Sequence, residues 1–248
     1  MTRQLTTRFW DNYFQYYDVL NQVIPYQDVL EAICRRVKGL PEKSLILDLG
    51  SGTGNLSLRL QDRFTVVSLD NNGSAQARHR HKDTRARLIH HDINTALPFA
   101  DNAFDVIVSN NTLYLIAEHN RPGVMAELHR VLRPGGLIVL ANVGQWFSPL
   151  QIYRHHFQAA CSRDGFLPTL VKAVRLMPAT ISMFYYNARI KQNDRSADIK
   201  FFSLDGQAWL LKTAGFGNVS PSALVYAGQA IINQGVKPED SHETTACR

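Results

Sequence analysis

Leu47-Asp-Leu-Gly-Ser-Gly-Thr-Gly-Asn55 is the stretch of sequence that decides the fold. An apolar run that starts at Ser44 leads into its first glycine, which is typical of a buried strand in a parallel sheet. A helix is predicted directly afterwards, over about 55–63. Because glycine has no Cβ, such a turn can pass close to a ligand and adopt conformations that other residues cannot. Strand, glycine turn and helix in this order predict a nucleotide-like ligand.

The spacing of the glycines narrows the kind of ligand. The pattern is Gly50-x-Gly52-x-Gly54, and Asn55 stands where a dinucleotide-binding fingerprint has its last glycine. No Gly-Lys-Ser/Thr follows, which excludes a P-loop and its phosphate-binding lysine. Asp70 ends the next predicted strand, where folds of this class place the carboxylate that binds ribose hydroxyls. The sequence therefore predicts a nucleoside site and gives little support to a phosphate cradle.

Strand and helix signals alternate outward from this turn. Four further strands are predicted at 65–70, 86–92, 104–109 and 137–142, and two helices at 74–83 and 120–132. A helix at about 204–214 and two strand-like stretches within 217–234 complete the pattern, the latter as an antiparallel pair at one edge. Because such alternation requires right-handed crossovers, it predicts a doubly wound, Rossmann-like α/β fold with a mostly parallel seven-stranded sheet.

The chain divides into four predicted parts. Aromatic and aliphatic residues at helical spacing predict an N-terminal helical cap at 1–43. The core comprises 44–144 and 201–236, and the aromatic segment 145–200 is predicted as a helical lid over the carboxyl edge of the sheet. The polar ending, 237–248, is predicted as a flexible tail. The prolines expected to interrupt the lid are Pro149, Pro168 and Pro178.

Composition excludes several classes of protein. With 248 residues, 45% of them hydrophobic, the chain has the apolar content for a sizeable core and is not mainly disordered. Cys34, Cys161 and Cys247 have no metal-ligand spacing, so we expect reduced thiols and no metal. No apolar run approaches the roughly 20 residues that cross a bilayer, and no signal peptide is recognisable. We therefore expect a cytoplasmic protein without a membrane span.

The charge pattern bears on the partners. The formal net charge of +6 permits anionic partners but is too small to require them. The densest basic stretch, 78–87, is interpreted as a solvated helix face. It lacks the interleaved aromatic residues that stack bases, so we expect no nucleic-acid partner. The sequence leaves the oligomeric state open, a homodimer included.

Five motifs stand in order along the chain at regular separations. They are Asp48-Leu-Gly-Ser-Gly-Thr-Gly54, Asp70, His91-Asp92-Ile93, Phe104-Asp-Val-Ile-Val-Ser-Asn-Asn111 and Leu132-Arg-Pro-Gly-Gly136. Together they resemble the class I S-adenosylmethionine-dependent methyltransferases, closely over 44–143 and loosely over 203–234. The segment Phe14-Gln-Tyr-Tyr-Asp-Val-Leu-Asn21 is similar to the start of the ubiquinone/menaquinone C-methyltransferase-like branch. That branch includes many natural-product enzymes, so a quinone substrate does not follow.

The resemblance implies S-adenosyl-L-methionine as cofactor and a binding role for each motif. The implied cofactor-binding residues are Tyr17, Asp48, Gly50, Ser51, Gly52, Asp70, Asn71, Asp92, Ile93 and Asn110. The glycine turn would lie against the methionine and ribose parts, and Asp70 would bind the ribose diol. Asn71, Asp92 and Ile93 would surround the adenine. Backbone at Asn110 would meet the methionine ammonium group, Asp48 would organise the turn or reach that group through water, and Tyr17 is either a core residue or a cap.

Methyl transfer depends more on the alignment of the reactants than on a catalytic side chain. Holding nucleophile, methyl and sulfur in line can supply about 7–11 kcal/mol, whereas a general base supplies about 3–5 kcal/mol. A base can therefore be absent. The candidates are Tyr114 and His155, with His119 and His156 also considered. Many relatives carry a histidine where this chain has Leu115, which leaves no imidazole at that position.

The sequence thus predicts an S-adenosylmethionine-dependent methyltransferase. It would move a methyl group to a carbon, nitrogen or oxygen atom of a small molecule, such as a natural-product intermediate, mainly by proximity and orientation. Two alternatives stay open. One is an RNA or protein methyltransferase, and the other is a domain that binds the cofactor without transferring methyl groups.

Overall fold

A computed structural model of the protein describes residues 6–193 and 200–239. The remaining parts of the predicted cap (1–5), lid (194–199) and tail (240–248, with Cys247) lie outside the described residues. Within the described ranges, no helix has the length and apolar character needed to cross a membrane.

One seven-stranded sheet forms the centre of the protein, in the order β3-β2-β1-β4-β5-β7-β6. The strands are β1 (Leu45–Leu49), β2 (Thr65–Asp70), β3 (Arg87–His90), β4 (Phe104–Asn110), β5 (Leu132–Val143), β6 (Ala223–Val225) and β7 (Ala230–Val236). Strands β1 to β5 are parallel, β7 runs antiparallel to β5, and β6 runs antiparallel to β7. The predicted fold class is confirmed.

Helices cover both faces and the carboxyl edge of the sheet. They are α1 (Thr7–Tyr17), α2 (Ile24–Val37), α3 (Ser57–Leu60), α4 (Gly73–Lys82), α5 (Arg121–Val131), α6 (Pro149–Asp164), α7 (Phe166–Asn193) and α8 (Gly206–Thr213). Short 3₁₀ helices occupy Asp18–Gln22, Leu113–Leu115 and Glu118–Asn120. Helix α6 packs on α7 and α2, and α7 packs on α1. The division into cap, core and lid stays a prediction.

Two local predictions need correction. The helix after the glycine turn is a single turn, Ser57–Leu60, and is shorter at both ends than the predicted 55–63. Pro178 lies inside α7 without interrupting it, whereas Pro149 stands in the first turn of α6. A proline in the first turn removes no helical hydrogen bond, and one inside a helix removes a single bond that a long helix tolerates at a cost.

Candidate active site

A cavity of about 480 Å³ opens where β1, β2 and β4 reach the carboxyl edge of the sheet. Parallel strands bring the turns that follow them to this edge, which is where ligands of open α/β folds bind. The lining residues taken from the predicted site are Tyr17, Asp48, Gly50, Ser51, Gly52, Asp70, Asn71, Ile93, Asn110 and Tyr114. Residues that are far apart in sequence thus meet around one space.

Asp70 is held by the backbone on both carboxylate oxygens. Oδ2 accepts the N–H of Gly52 at 2.8 Å, and Oδ1 accepts the N–H of Asn72 at 2.8 Å. Burial raises the pKa of Asp70, and these backbone bonds oppose that rise. The carboxylate is therefore fixed in orientation at the wall of the cavity, with lone pairs left to accept from a ligand.

Asp48 lies deeper, at the end of β1. Its Oδ2 accepts a hydrogen bond from Ser57 Oγ, which also lies 2.8 Å from Ser68 Oγ. Burial raises the pKa of Asp48 to about 7, the negative charge of Asp70 adds to the rise, and the bond from Ser57 opposes it. Two buried carboxylates thus face one cavity, which is an arrangement suited to a cationic ligand.

The glycine turn is packed on its outer side. Gly50, Gly52 and Gly54 have φ of 70°, 53° and 80°. A Cβ on Gly50 would lie 2.2 Å from Thr112 Oγ1, and one on Gly54 would lie 2.2 Å from Cδ2 of His79. The turn therefore needs glycine both for its backbone conformation and for space.

Gly54→Ala is expected to destabilise the protein by about 3 kcal/mol or more, because left-handed backbone strain adds to the overlap with His79. Gly228→Ala is the matched control, since Gly228 has a similar φ of 78° but no atom within 4 Å of a built Cβ. The control should lose only about 1 kcal/mol. Urea unfolding of both variants measures the difference, and equal losses would contradict the packing argument.

Three buried polar atoms in the lining have no hydrogen-bond partner in the protein. They are Ser51 Oγ, Asn110 Oδ1 and Asn111 Oδ1. Burying such atoms without a partner costs about 1–3 kcal/mol each. Acceptors beside a fixed carboxylate fit a ligand that brings N–H and O–H donors. The residues present therefore fit a nucleoside that carries an amino-acid group.

Of the residues predicted to surround the adenine, Ile93 and Asn71 line the cavity and Asp92 does not. Ile93 is buried and lines the cavity together with Asn71, Asn72 and Asn94. Asp92 is exposed and outside the lining, and its Oδ1 accepts from the backbone and side-chain N–H groups of Asn94. The side chain of Asp92 is thus used in a local turn, and the structure does not support the adenine contact predicted for it.

Aromatic rings also line the cavity, and Phe14 lies against the glycine turn. The rings in the lining are Trp10, Tyr13, Phe14, Tyr17, Tyr26, Tyr114, Phe147 and Tyr226. The hydroxyls of Tyr17 and Tyr26 lie 3.3 Å apart, and burial raises the pKa of both groups. Phe147 comes from the aromatic segment 145–200 that was predicted as the lid, whereas Tyr226 was missing from the predicted site. No sequence signal marks Tyr226, which enters the cavity from a turn where its own φ is positive.

The two catalytic candidates have different positions. Tyr114 is buried, lines the cavity and has its pKa raised by burial. His155 is exposed on α6 outside the cavity, so the structure does not support a catalytic role for it. Its neighbour His156 lies about 100° further around the helix, where its Nδ1 accepts the N–H of Ile24 at 3.2 Å. His119 is also exposed.

Lys82 ties the N-terminal segment to the glycine turn. Its Nζ donates to Asp18 Oδ1 at 2.6 Å, to the carbonyl oxygen of Thr53 at 2.9 Å and to Asn55 Oδ1 at 2.8 Å. Thr53 Oγ1 also donates to Asp18 Oδ1, at 2.6 Å. Lys82 is exposed, as predicted for 78–87, but its ammonium group is engaged by these three acceptors.

His79, from the same stretch, is fully buried. Burial lowers its pKa to about 4, and the positive charge of Lys82 adds to that effect. It is thus a neutral packing residue beneath the turn rather than part of a basic surface.

Comparison with known proteins places this geometry in a family. A family model described as a methyltransferase domain matches residues 46–136. Demethylmenaquinone methyltransferase of Thermus thermophilus is 32% identical over 184 residues, which is 68% of this chain and 80% of that protein. Malonyl-[acyl-carrier protein] O-methyltransferase of Geobacter sulfurreducens is 38% identical over 108 residues, 42% of this chain and only 40% of that protein.

Solved structures agree on the fold. A possible histamine N-methyltransferase from Thermotoga maritima has a TM-score of 0.60 at 14% identity, covering 94% of this chain and 100% of that one. Fold and cavity define a nucleoside-binding enzyme. The chain belongs to the class I S-adenosylmethionine-dependent methyltransferases, in the ubiquinone/menaquinone C-methyltransferase-like branch.

The cofactor is therefore S-adenosyl-L-methionine, and the predicted enzyme class is confirmed. The curated relatives give no support to the two alternatives, an RNA or protein methyltransferase or a non-methylating domain. Among the described residues, no group of three or more His, Cys, Asp or Glu side chains is arranged to hold a metal ion.

Proposed function

We propose that the chain transfers a methyl group to a carbon, nitrogen or oxygen atom of an uncharged, aromatic small molecule. The observation that supports this acceptor class is the lining of the cavity. Its only charged side chains among the described residues are Asp48 and Asp70, and no lysine, arginine or histidine lines it. The protein supplies no opposite charge for an anionic acceptor, which would have to leave water for a site whose protein charges are two carboxylates, so the cofactor's sulfonium alone would offset that free-energy cost.

The names of the relatives do not decide the acceptor. One is named for demethylmenaquinone and another for malonyl-[acyl-carrier protein], so similar chains serve different acceptors. The eight rings around the cavity offer flat apolar surfaces, and ring pairs such as Tyr13–Tyr17 and Tyr13–Phe14 already lie 5.4 Å apart. Such walls favour a planar ring, since aromatic pairs attract beyond the area that they bury.

The cofactor is proposed to bind along the strand ends and the glycine turn. Asp70 would accept from two ribose hydroxyls, Ile93 would pack on the adenine, and Asn71 would lie beside it. Ser51, Asn110 and Asn111, whose side-chain oxygens have no protein partner, would accept from the methionine ammonium group. Asp92 and His155 are not part of this proposal, because both are exposed outside the cavity.

When bound, the cofactor supplies a methyl group on a positively charged sulfur, which is a good leaving group. The chain's residues exclude water and align the acceptor. The hydroxyls of Tyr17, Tyr26 and Tyr114 are protonated at neutral pH, as tyrosine hydroxyls ordinarily are, and burial raises their pKa further; they would act as hydrogen-bond donors that orient the acceptor. Alignment, which can be worth about 7–11 kcal/mol, is thus proposed as the main contribution.

Matched acceptors test the proposal. The purified chain is given S-adenosyl-L-methionine with phenols and hydroquinones in one series and the same rings bearing a carboxylate in another, and release of S-adenosylhomocysteine is measured. We expect kcat/KM at least about tenfold higher for the uncharged ring of each pair, because a buried carboxylate that no protein cation pairs costs more than the 1.4 kcal/mol that tenfold requires. Preference for the carboxylates, or turnover with neither series despite tight cofactor binding, would contradict it.

A further inference from the structure

Helix α7 exposes a continuous apolar stripe. Of the described residues, thirteen large hydrophobic side chains are exposed, and eight of them belong to this one helix. They are Phe166, Leu167, Leu170, Val171, Val174, Met177, Ile181 and Tyr185. Monomeric proteins rarely expose so large a connected apolar patch unless something binds to it.

The stripe lies on one side of the helix, away from the protein. Steps of one, three and four residues keep these side chains within an arc of about 140° at 100° per residue. Thr169, Met183 and Ile190 are buried and lie outside that arc. The stripe runs from Phe166 to Tyr185, which is about 30 Å of this 28-residue helix.

The charges of α7 all have one sign. The helix contains no aspartate or glutamate, and its cations are Lys172, Arg175, Arg189 and Lys191. Asp164, at the end of α6, accepts from Arg163 at 2.9 Å and from Lys172 at 3.0 Å. Arg175 and Arg189 stand at the border of the apolar arc. An apolar face bordered by cations is the pattern of helices that lie in a membrane interface.

We propose that α7 docks on the surface of an anionic lipid membrane, with its apolar stripe in the interface and Arg175 and Arg189 against lipid head groups. Charge complementarity favours this occupant over a second copy of the chain. In a two-fold contact the same patch meets itself, so the cations of α7 would face each other with no carboxylate in either helix. An anionic bilayer instead supplies the opposite charge along the whole helix.

Vesicle co-sedimentation tests the proposal without any need for turnover. The probes are phosphatidylcholine vesicles with and without phosphatidylglycerol, and the variant is Val171→Glu/Val174→Glu. We expect wild type to bind the phosphatidylglycerol vesicles at least about tenfold more strongly than the neutral ones, and added salt to weaken that binding. The variant should lose about tenfold or more, because two charges would enter the interface.

Leu224→Glu, on exposed β6, is the matched control and should bind like wild type. Unchanged circular dichroism and cofactor binding would show that the variants are folded. Equal binding to neutral vesicles, no binding at all, or a control that loses as much as the variant would overturn the proposal. Light scattering is the second measurement. A wild-type dimer that the Val171→Glu/Val174→Glu variant does not form would also overturn the proposal, because the stripe would then join two copies of the chain.

Discussion

Asp70→Ala is expected to weaken binding of S-adenosylhomocysteine by about 100-fold or more. In the proposed complex, the variant loses two hydrogen bonds from ribose hydroxyls to a charged group, each worth about 1.5–3 kcal/mol, and each 1.4 kcal/mol is tenfold in affinity. The change also removes the acceptors of the Gly52 and Asn72 N–H groups, which loosens the turn itself. Isothermal titration calorimetry measures the dissociation constants.

Asp62→Ala, at an exposed carboxylate on the surface, is the control for a lost negative charge and should leave the affinity unchanged. Asp70→Asn keeps one oxygen acceptor and should lie between the other two variants. An affinity of Asp70→Ala within about twofold of wild type would show that Asp70 does not bind the ribose. Loss of a single hydrogen bond to a charged group already lowers affinity by more than twofold.

Asp48→Asn is expected to stabilise the cofactor-free protein while it weakens cofactor binding. The pKa of Asp48 is raised to about 7 in the folded state from 3.8, chiefly by burial. A raised pKa means that the stability contributed by this group is complete below the unfolded value and is lost as the pH rises through about 7. The advantage of the asparagine should therefore grow by about 2 kcal/mol between about pH 5.5 and pH 8.5.

Urea unfolding of wild type and variant across that range measures this difference. Binding of S-adenosyl-L-methionine to the variant should be about tenfold weaker or more, because the buried charge that favours a cationic ligand is gone. Asp62→Asn is the exposed control and should change neither quantity. Parallel stability curves for Asp48→Asn and wild type would show that Asp48 does not titrate in this range. Opposite signs of the two effects are the mark of a group kept for function at a cost in stability.

The fold was predictable from the sequence because few other folds have the same order of strand and helix patterns. The apolar run before Gly50 and the alternation that follows specify a parallel sheet, and the observed strands lie within a few residues of the predicted ones, with β5 extending further toward its amino end. Side-chain hydrogen bonds were harder to predict from the sequence. The side chain of Asn55 bonds to Asn21 and Tyr26, which are 34 and 29 residues away, and no local pattern shows these partners.

The part of the candidate site that lies at the ends of the strands could be predicted from the sequence. Gly50, Gly52 and Asp70 follow from position in the fold, and all three line the cavity. His155 was a poor candidate because a helix turns by about 100° per residue, so neighbouring histidines face different ways and only the packing of α6 selects one. Tyr226 comes from a turn near the chain's far end, and its position depends on the pairing of β6 with β7.

The three hydrogen bonds of Lys82 have a consequence for how fast ligands exchange. Trp10 and Phe14 of α1 form one wall of the cavity, and Asp18 directly after α1 is fastened through Lys82 to the carbonyl oxygen of Thr53 in the glycine turn. Movement of α1 away from the glycine turn would break these hydrogen bonds of Lys82. We expect release of S-adenosylhomocysteine, rather than methyl transfer, to be the rate-limiting step of steady-state turnover.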